Sequence, residues 1–223
     1  MIAGLQKTTL IDYPGKLASA IFTSGCNFRC GYCHNKDLVE GNTPTILMAE
    51  ILSFLDSRKN ILEGVCITGG EPTIHKELPS LCKSIKELGL SVKLDTNGTN
   101  PVMLKKLIDE RLVDYIAMDI KASFENYEKV SYVPVKVEAL KESVGIIKKS
   151  GIEHEFRTTL IPDVIDEDEI EAIAEIVGDS PYFLQQFRAA PTAMDPKYRH
   201  MEALSSARVE ELKAVAGSEL RGS

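Results

Sequence analysis

The stretch that organises this sequence is Gly25-Cys-Asn-Phe-Arg-Cys-Gly-Tyr-Cys-His-Asn35, in which three cysteines are spaced as Cys26-x3-Cys30-x2-Cys33. The chain of 223 residues holds five cysteines, and three of them fall within eight positions. An odd number of cysteines clustered in this way does not suggest a disulfide framework, and thiolates so close together are typical of a metal centre. We therefore expect Cys26, Cys30 and Cys33 to hold a metal.

Spacing alone leaves three interpretations of this motif open. A structural zinc ion would use His34 as its fourth ligand, although zinc sites usually pair two short ligand clusters across a longer loop, and His34 directly follows Cys33. An iron–sulfur cluster normally takes four thiolates, so three would leave one iron open to a substrate or cofactor. The third interpretation is that the thiols bind no metal. The spacing favours the cluster.

With Tyr32 before its last cysteine, the motif resembles the signature of the radical S-adenosylmethionine (radical SAM) enzymes. The ending at Asn35 and the upstream Asp12-Tyr-Pro-Gly15 are similar to the glycyl-radical-enzyme activating enzymes, relatives of the pyruvate formate-lyase activating enzyme. Within these, the chain is most similar to the activating proteins of anaerobic ribonucleoside-triphosphate reductase. The resemblance implies a [4Fe–4S] cluster on the three cysteines, SAM on its open iron, and Tyr32 and Asn35 among the cofactor-binding residues. It also implies that the Asp12–Gly15 stretch lies near the target peptide.

Strand and helix patterns alternate about six times along the chain, which predicts a parallel sheet with crossover helices. A length of 223 residues is short for an eight-unit barrel, which takes about 250. The resemblance implies the same α/β core, an open partial (β/α)6 barrel with outer helices. We expect one domain over residues 1–223, with an N-terminal segment at 1–16 and a frayed tail at 217–223. Strands are predicted at 17–23, 64–68, 90–95, 115–120, 153–161 and 182–187, and helices at 46–58, 74–88, 101–111, 137–149, 166–177 and 205–216.

Polar motifs follow the predicted strands, and in parallel α/β folds functional sites form at the carboxyl ends of strands. In isolation each motif is ordinary: a glycine turn, an Asx turn or a structural ion pair. Paired glycines, however, let a backbone approach a ligand closely because no side chain intervenes. The motifs are Gly69-Gly70-Glu71 after the second strand, Asp95-Thr96 after the third, and Asp119 with Lys121 after the fourth.

The resemblance assigns roles to these motifs. The Gly-Gly-Glu segment ending at Glu71 holds the amino group of SAM. Asp95, Thr96 and Asp119 bind a monovalent cation near the SAM carboxylate, and Lys121 steadies that carboxylate. These roles are expectations carried over from the family at matching positions of this chain.

Two regions match the family less closely. The activating enzymes tend to offer a histidine near the adenosine after the sixth strand, where this chain has none and we expect Gln186 or Arg188 to substitute. Arg157, on the fifth strand, is either another inward site residue or a member of a structural ion pair. Only Cys66 and Cys82 remain outside the motif, so auxiliary iron–sulfur clusters are not expected.

Composition limits the partners. With 26 basic and 33 acidic side chains the formal net charge is −7, which argues against a general nucleic-acid binder. No apolar run approaches the roughly 18 residues of a membrane span, and no secretory leader is apparent, so we expect a cytoplasmic protein. The resemblance implies a glycyl radical enzyme as protein substrate and flavodoxin or ferredoxin as electron donor. A radical SAM enzyme of small molecules or peptides, and a non-catalytic electron-transfer module, remain alternatives.

Overall fold

The computed structural model describes residues 1–221 and shows an α/β fold built on one sheet of eight strands. The strands are β1 (Ile2–Thr9), β2 (Ala18–Thr23), β3 (Gly64–Gly69), β4 (Ser91–Thr96), β5 (Tyr115–Asp119), β6 (Glu153–Leu160), β7 (Tyr182–Gln186) and β8 (Glu219–Arg221). They lie side by side in chain order; β1 is antiparallel to β2, and all later neighbours are parallel. The α-helices are α1 (Lys36–Glu40), α2 (Met48–Arg58), α3 (Leu78–Glu87), α4 (Pro101–Asp109), α5 (Tyr127–Ser131), α6 (Val137–Lys149), α7 (Glu167–Val177) and α8 (Ser206–Ala216).

Strands β2 to β7, each followed by a helix, form the predicted parallel (β/α)6 unit, so the expected fold class is confirmed. The helices pack on the sheet through stripes of apolar residues at helical spacing. The start of α4 is set by Asn100, whose side chain accepts a hydrogen bond from the Met103 amide. None of the helices in the described part of the chain has the length and apolar character that a membrane crossing requires. On α3 the buried stripe is Leu78, Leu81, Cys82 and Ile85.

The N-terminal segment contains a strand that the sequence does not predict. Strand β1 pairs with β2 through the register Gln6 with Ala20, and residues 6–8 in its second half are exposed. An edge strand is held by backbone hydrogen bonds to its single neighbour, so its side chains need no alternating apolar pattern. The sequence signal for β1 is weak for that reason.

The predicted fraying of residues 217–223 is wrong for residues Glu219–Arg221, which form β8 beside β7. The Arg221 guanidinium lies 2.5 Å from a carboxylate oxygen of buried Glu155 and covers the ring of Phe183, with its carbon 3.9 Å from the ring centre. A buried carboxylate is costly unless a cation compensates it, and Arg221 supplies that charge. Residues 222 and 223 of the predicted tail lie outside the described residues.

The Asp12-Tyr-Pro-Gly15 stretch lies at the amino ends of the strands. Tyr13 is buried there with Ala18 and Tyr115, the first residues of β2 and β5, and the two tyrosine ring centres are 5.9 Å apart. The cysteine loop begins at the other end of β2, about 20 Å away for a six-residue strand. The stretch therefore lies at the opposite end of the sheet from the cysteine loop, and its place near the target peptide stays a prediction.

We predict that Tyr13→Ala lowers the free energy of unfolding by about 3 kcal/mol, because it removes a ring that is 1% exposed and leaves a cavity. Denaturant unfolding measures the change. Leu10→Ala is the matched control, since that side chain is 76% exposed in the same loop and its loss should cost less than about 0.5 kcal/mol. Equal effects of the two variants would contradict the placement of Tyr13.

Candidate active site

The carboxyl ends of the strands surround a cavity of about 210 Å³. Residues from the loops after four strands and from β6 reach it, so side chains far apart in sequence share one space. Twelve of the thirteen predicted site residues line this cavity. They are Cys26, Cys30, Tyr32, Cys33, Asn35, Gly69, Gly70, Glu71, Asp95, Thr96, Asp119 and Lys121.

The three cysteines of the motif are held on one wall of the cavity by a tight loop between β2 and α1. The Cys33 amide donates to the Cys30 carbonyl at 3.0 Å, and the Phe28 amide donates to the Cys26 thiol sulfur at 3.4 Å. Burial raises the pKa of the Cys26 thiol, and it raises that of Cys30 to about 12. Since a thiol binds metal as a thiolate, loading this loop would release protons.

The donor set fits a cluster better than a single ion. Within residues 1–221, no three His, Cys, Asp or Glu side chains form a group that could hold a single metal ion. An iron–sulfur cluster takes its thiolates on separate irons, so three thiols spread along one cavity wall suit it. Cys26, Cys30 and Cys33 thus present three thiol donors to one cavity.

A second segment, residues 192–199, packs across the outside of the cysteine loop, and we term it the strap. The Met194 amide donates to the Cys33 carbonyl at 3.1 Å, and the Asp195 amide donates to the Gly31 carbonyl at 2.9 Å. A Cβ atom at Gly31 would lie 2.8 Å from the side chains of Tyr132 and Tyr198, so only glycine lets the cysteine loop and the strap pack this closely. Sequence analysis missed the strap because its partners are about 160 positions away and it has no regular pattern.

The Gly69-Gly70 turn lies close to the backbone at the end of β2 and the start of the cysteine loop. The Gly70 amide donates to the Thr23 carbonyl at 2.8 Å, and the Glu71 amide donates to the Gly25 carbonyl at 2.9 Å. A Cβ atom at Gly70 would lie 1.9 Å from the Gly25 carbonyl oxygen. Because Gly70 has no side chain, the turn after β3 can form hydrogen bonds with the start of the cysteine loop. This structural role is separate from any contact that the turn makes with a ligand.

The Glu71 carboxylate links the loops that follow β3 and β4. One oxygen accepts hydrogen bonds from the Thr73 amide at 3.0 Å and the Thr96 hydroxyl at 2.8 Å, and the other accepts from the Asn97 amide at 2.7 Å. Burial raises the pKa of Glu71, and these donors oppose the rise because they favour the charged form. The side chain is 1% exposed, so it orders the cavity wall from within.

Four charged side chains, Asp95, Asp119, Lys121 and Arg157, form the floor of the cavity, and a fifth, Lys93, lies beneath them. Arg157 lies between Asp95 and Asp119, with nitrogen–oxygen distances of 3.4 and 2.9 Å, and Lys121 lies 3.4 Å from Asp119. Lys93 pairs with the other oxygen of Asp95. Burial disfavours the charged acids, but Arg157 and the neighbouring lysine outweigh it and lower the pKa of both Asp95 and Asp119. Sequence analysis did not single out Lys93, although it stands on the same strand face as Asp95.

Arg188 is not brought to the cavity. It is exposed beyond the end of β7 and is not among the described residues that line the cavity. Gln186 faces outward and donates to the Leu204 carbonyl at 2.9 Å. The register pairs Gln185 with Thr159, a cavity-lining residue, so Gln185 stands on the inward face of the sheet. Strand alternation alone could not have found it, because the inward face of β7 is set by the register with β6.

Comparison with known proteins identifies the family of this chain. The profile of the Radical SAM superfamily matches residues 20–176. A Methanocaldococcus jannaschii protein named "Putative glycyl-radical enzyme activating enzyme" is 33% identical over 222 residues, which cover 97% of this chain and 91% of that protein. The pyruvate formate-lyase-activating enzyme of Clostridium pasteurianum is 26% identical over 184 residues, covering 79% of this chain and 75% of that enzyme.

Solved structures show the same architecture. SuiB of Streptococcus suis, in its crystal structure bound to S-adenosylmethionine, superposes with a TM-score of 0.70 at 12% sequence identity. The match covers 90% of this chain and 49% of SuiB. At this level of identity the likeness shows the fold alone, and it extends over nearly the whole chain.

We predict that Gly70→Ala lowers the free energy of unfolding by about 2–3 kcal/mol, because its Cβ cannot share space with the Gly25 carbonyl. It should also lower the iron and sulfide retained after anaerobic reconstitution, since the displaced carbonyl begins the cysteine loop. Gly145→Ala is the control: nothing lies within 4 Å of a Cβ there, and alanine is the better helix former in α6. Full cluster loading of Gly70→Ala would refute the proposed contact.

Proposed function

The chain belongs to the radical SAM superfamily, and on that premise we propose that it activates a glycyl radical enzyme by abstracting a hydrogen atom from a glycine Cα of that partner. The observation that carries the proposal is the convergence of three cysteines, a glycine turn and a charged floor on one cavity. The names of two relatives, matched over 97% and 79% of this chain, support the choice of reaction.

The residues present suit the family's cofactors. Cys26, Cys30 and Cys33 would hold the [4Fe–4S] cluster, and the charged floor would face the polar end of SAM. A [4Fe–4S] cluster held by these residues would, when reduced, supply the one electron needed to cleave SAM to methionine and a hydrogen-abstracting 5′-deoxyadenosyl radical. The protein's own contribution is positioning, which lowers the barrier by holding the reacting groups together and excluding water.

Each polar group of the cavity has a task in this proposal. Lys121 and Arg157 would neutralise the SAM carboxylate, since both already lie at the floor with Asp119. The negative charge of the Glu71 carboxylate would attract the SAM amino group to the Gly-Gly-Glu turn. The hydrogen bonds that this carboxylate accepts from Thr73 and Asn97 keep the turn in place. Tyr32 places its hydroxyl 3.5 Å from the Lys121 ammonium and so helps to orient it.

Two further cofactor contacts follow from position on the loops. Asn35 lines the cavity at the end of the cysteine loop, and Thr96 lines it beside Glu71. We assign Asn35 and Thr96 to the binding of SAM on this basis. Gln185 is not among the cavity-lining residues, but it stands on the inward face at the end of β7 and would take the place of Arg188 beside the adenosine.

The substrate is a protein segment containing glycine. A radical at a glycine Cα is stabilised by the flanking amide groups, and glycine has no side chain to block its approach to the cavity. The sequence motifs favour anaerobic ribonucleoside-triphosphate reductase as the partner, with reduced flavodoxin or ferredoxin as the electron donor. Small-molecule and peptide substrates remain the competing outcomes of the test below.

The experiment mixes anaerobically reconstituted, reduced protein and SAM with the candidate reductase. We predict a doublet glycyl EPR signal on the reductase and 5′-deoxyadenosine in solution. Both should vanish with Cys30→Ala, which removes a cluster ligand, and should persist with Cys82→Ala, a buried thiol on α3 outside the cavity. Cleavage of SAM with no radical on any glycyl radical enzyme would rule out this function and leave the small-molecule alternative.

We predict that Gln185→Ala raises the dissociation constant of SAM about five- to tenfold, the loss expected for one hydrogen bond to the adenosine. Gln186→Ala, one residue along the same strand but facing outward, should change it less than about twofold. Isothermal titration under anaerobic conditions measures both. A larger effect from Gln186 than from Gln185 would contradict the assignment.

A further inference from the structure

The charged floor of the cavity does not suit the monovalent cation that the family resemblance implies. We propose that Lys93 and Arg157 supply the positive charge there, so that SAM binds this chain without K⁺ or Na⁺. The inference rests on the proposed function only in taking SAM as the ligand. It names a positioning role for Lys93, a residue on β4 that lies below the cavity-lining side chains.

The oxygens that a cation would use are already paired. One carboxylate oxygen of Asp95 pairs with the Lys93 ammonium, and the other lies 3.4 Å from the Arg157 guanidinium. One oxygen of Asp119 accepts from the Arg157 Nε atom at 2.9 Å, and the other lies 3.4 Å from the Lys121 ammonium. Each of the four oxygens therefore faces a protein cation.

The floor already carries an excess of positive charge and needs no added cation. Three cations, Lys93, Lys121 and Arg157, surround the two carboxylates of Asp95 and Asp119 and leave one positive charge in excess. Deeper in the sheet interior, Glu155 and Arg221 neutralise each other. The carboxylate of SAM would cancel the excess charge. A further monovalent cation would restore an uncompensated charge in a largely buried site, which is costly.

Lys93 is fixed where it stands. Its side chain is only 1% exposed. Its ammonium lies 3.9 Å from the Cys66 sulfur and 5.9 Å from the centre of the Tyr115 ring. Strand alternation places Lys93 and Asp95 on the same inward face, so the pair is set by the backbone. A dissolved ion must be captured from solvent, whereas this ammonium is built into β4.

The first test compares SAM binding in buffers of equal ionic strength containing K⁺, Na⁺ or tetramethylammonium, which is too large for a compact carboxylate site. Reconstituted protein is titrated with SAM, and the dissociation constant is measured by calorimetry, with the cluster EPR spectrum as a second readout. We expect values within about twofold in all three salts. A tenfold or greater weakening in tetramethylammonium would overturn the proposal.

The second test removes the built-in charge. In Lys93→Met, which keeps the length of the side chain, SAM should bind about tenfold more weakly in tetramethylammonium and recover in K⁺ or Na⁺, because Asp95 is then free to bind an ion. Lys93→Arg is the matched control and should stay independent of the salt. Equal binding by Lys93→Met in all salts would overturn the role of Lys93.

Folding and function are separable in these tests. Circular dichroism and iron content establish that each variant is folded and carries its cluster. If a variant does not fold, the comparison of salts made with the unaltered chain still decides the proposal. Failure to place a radical on a glycine would count against the proposed function but leave the binding result intact. Absence of SAM binding in every salt would overturn both.

Discussion

Two backbone hydrogen bonds, from the amides of Gly70 and Glu71 to the carbonyls of Thr23 and Gly25, join the turn after β3 to the loop that carries the cysteines. The contact is possible because Gly70 has no Cβ, which would lie 1.9 Å from the Gly25 oxygen. Because the cysteine loop starts at Gly25, this contact fixes the position and orientation of the loop. The glycines therefore build the site as much as they admit a ligand to it.

The same turn is tied to the next one by a buried carboxylate. Glu71 accepts from Thr73, Thr96 and Asn97, so the loops after β3 and β4 cannot move independently. On the outside, the strap of residues 192–199 holds the carbonyls of Gly31 and Cys33. The cysteine loop is thus fixed from two sides, while its thiols face the cavity.

Three acids in the sheet interior each have a cation within reach, whereas the buried carboxylate of Glu71 is held by neutral donors alone. Arg157 serves Asp95 and Asp119, Lys93 serves Asp95, and Arg221 serves Glu155. The pairing accounts for the ordered β8 at the end of the described chain, because its arginine completes a buried pair. It also sets the ionic state of the cavity floor before any ligand arrives.

The sequence by itself determined the features that depend on local spacing. The three-cysteine motif, the alternation of strands and helices, and the polar residues at strand ends were all predictable, because strand and helix periods and turn residues are local properties. Twelve of the thirteen predicted site residues line the cavity for the same reason: parallel strands bring their carboxyl ends together.

Only the tertiary structure decided which surfaces meet. Gln185 rather than Arg188 faces inward because of the register between β6 and β7, and Lys93 became visible only through its pairing with Asp95. The Asp12–Gly15 stretch closes the far end of the sheet because Tyr13 finds Tyr115 there, about 100 positions later in the chain. Contacts between distant residues depend on how whole elements pack, and no pattern within one segment contains that information.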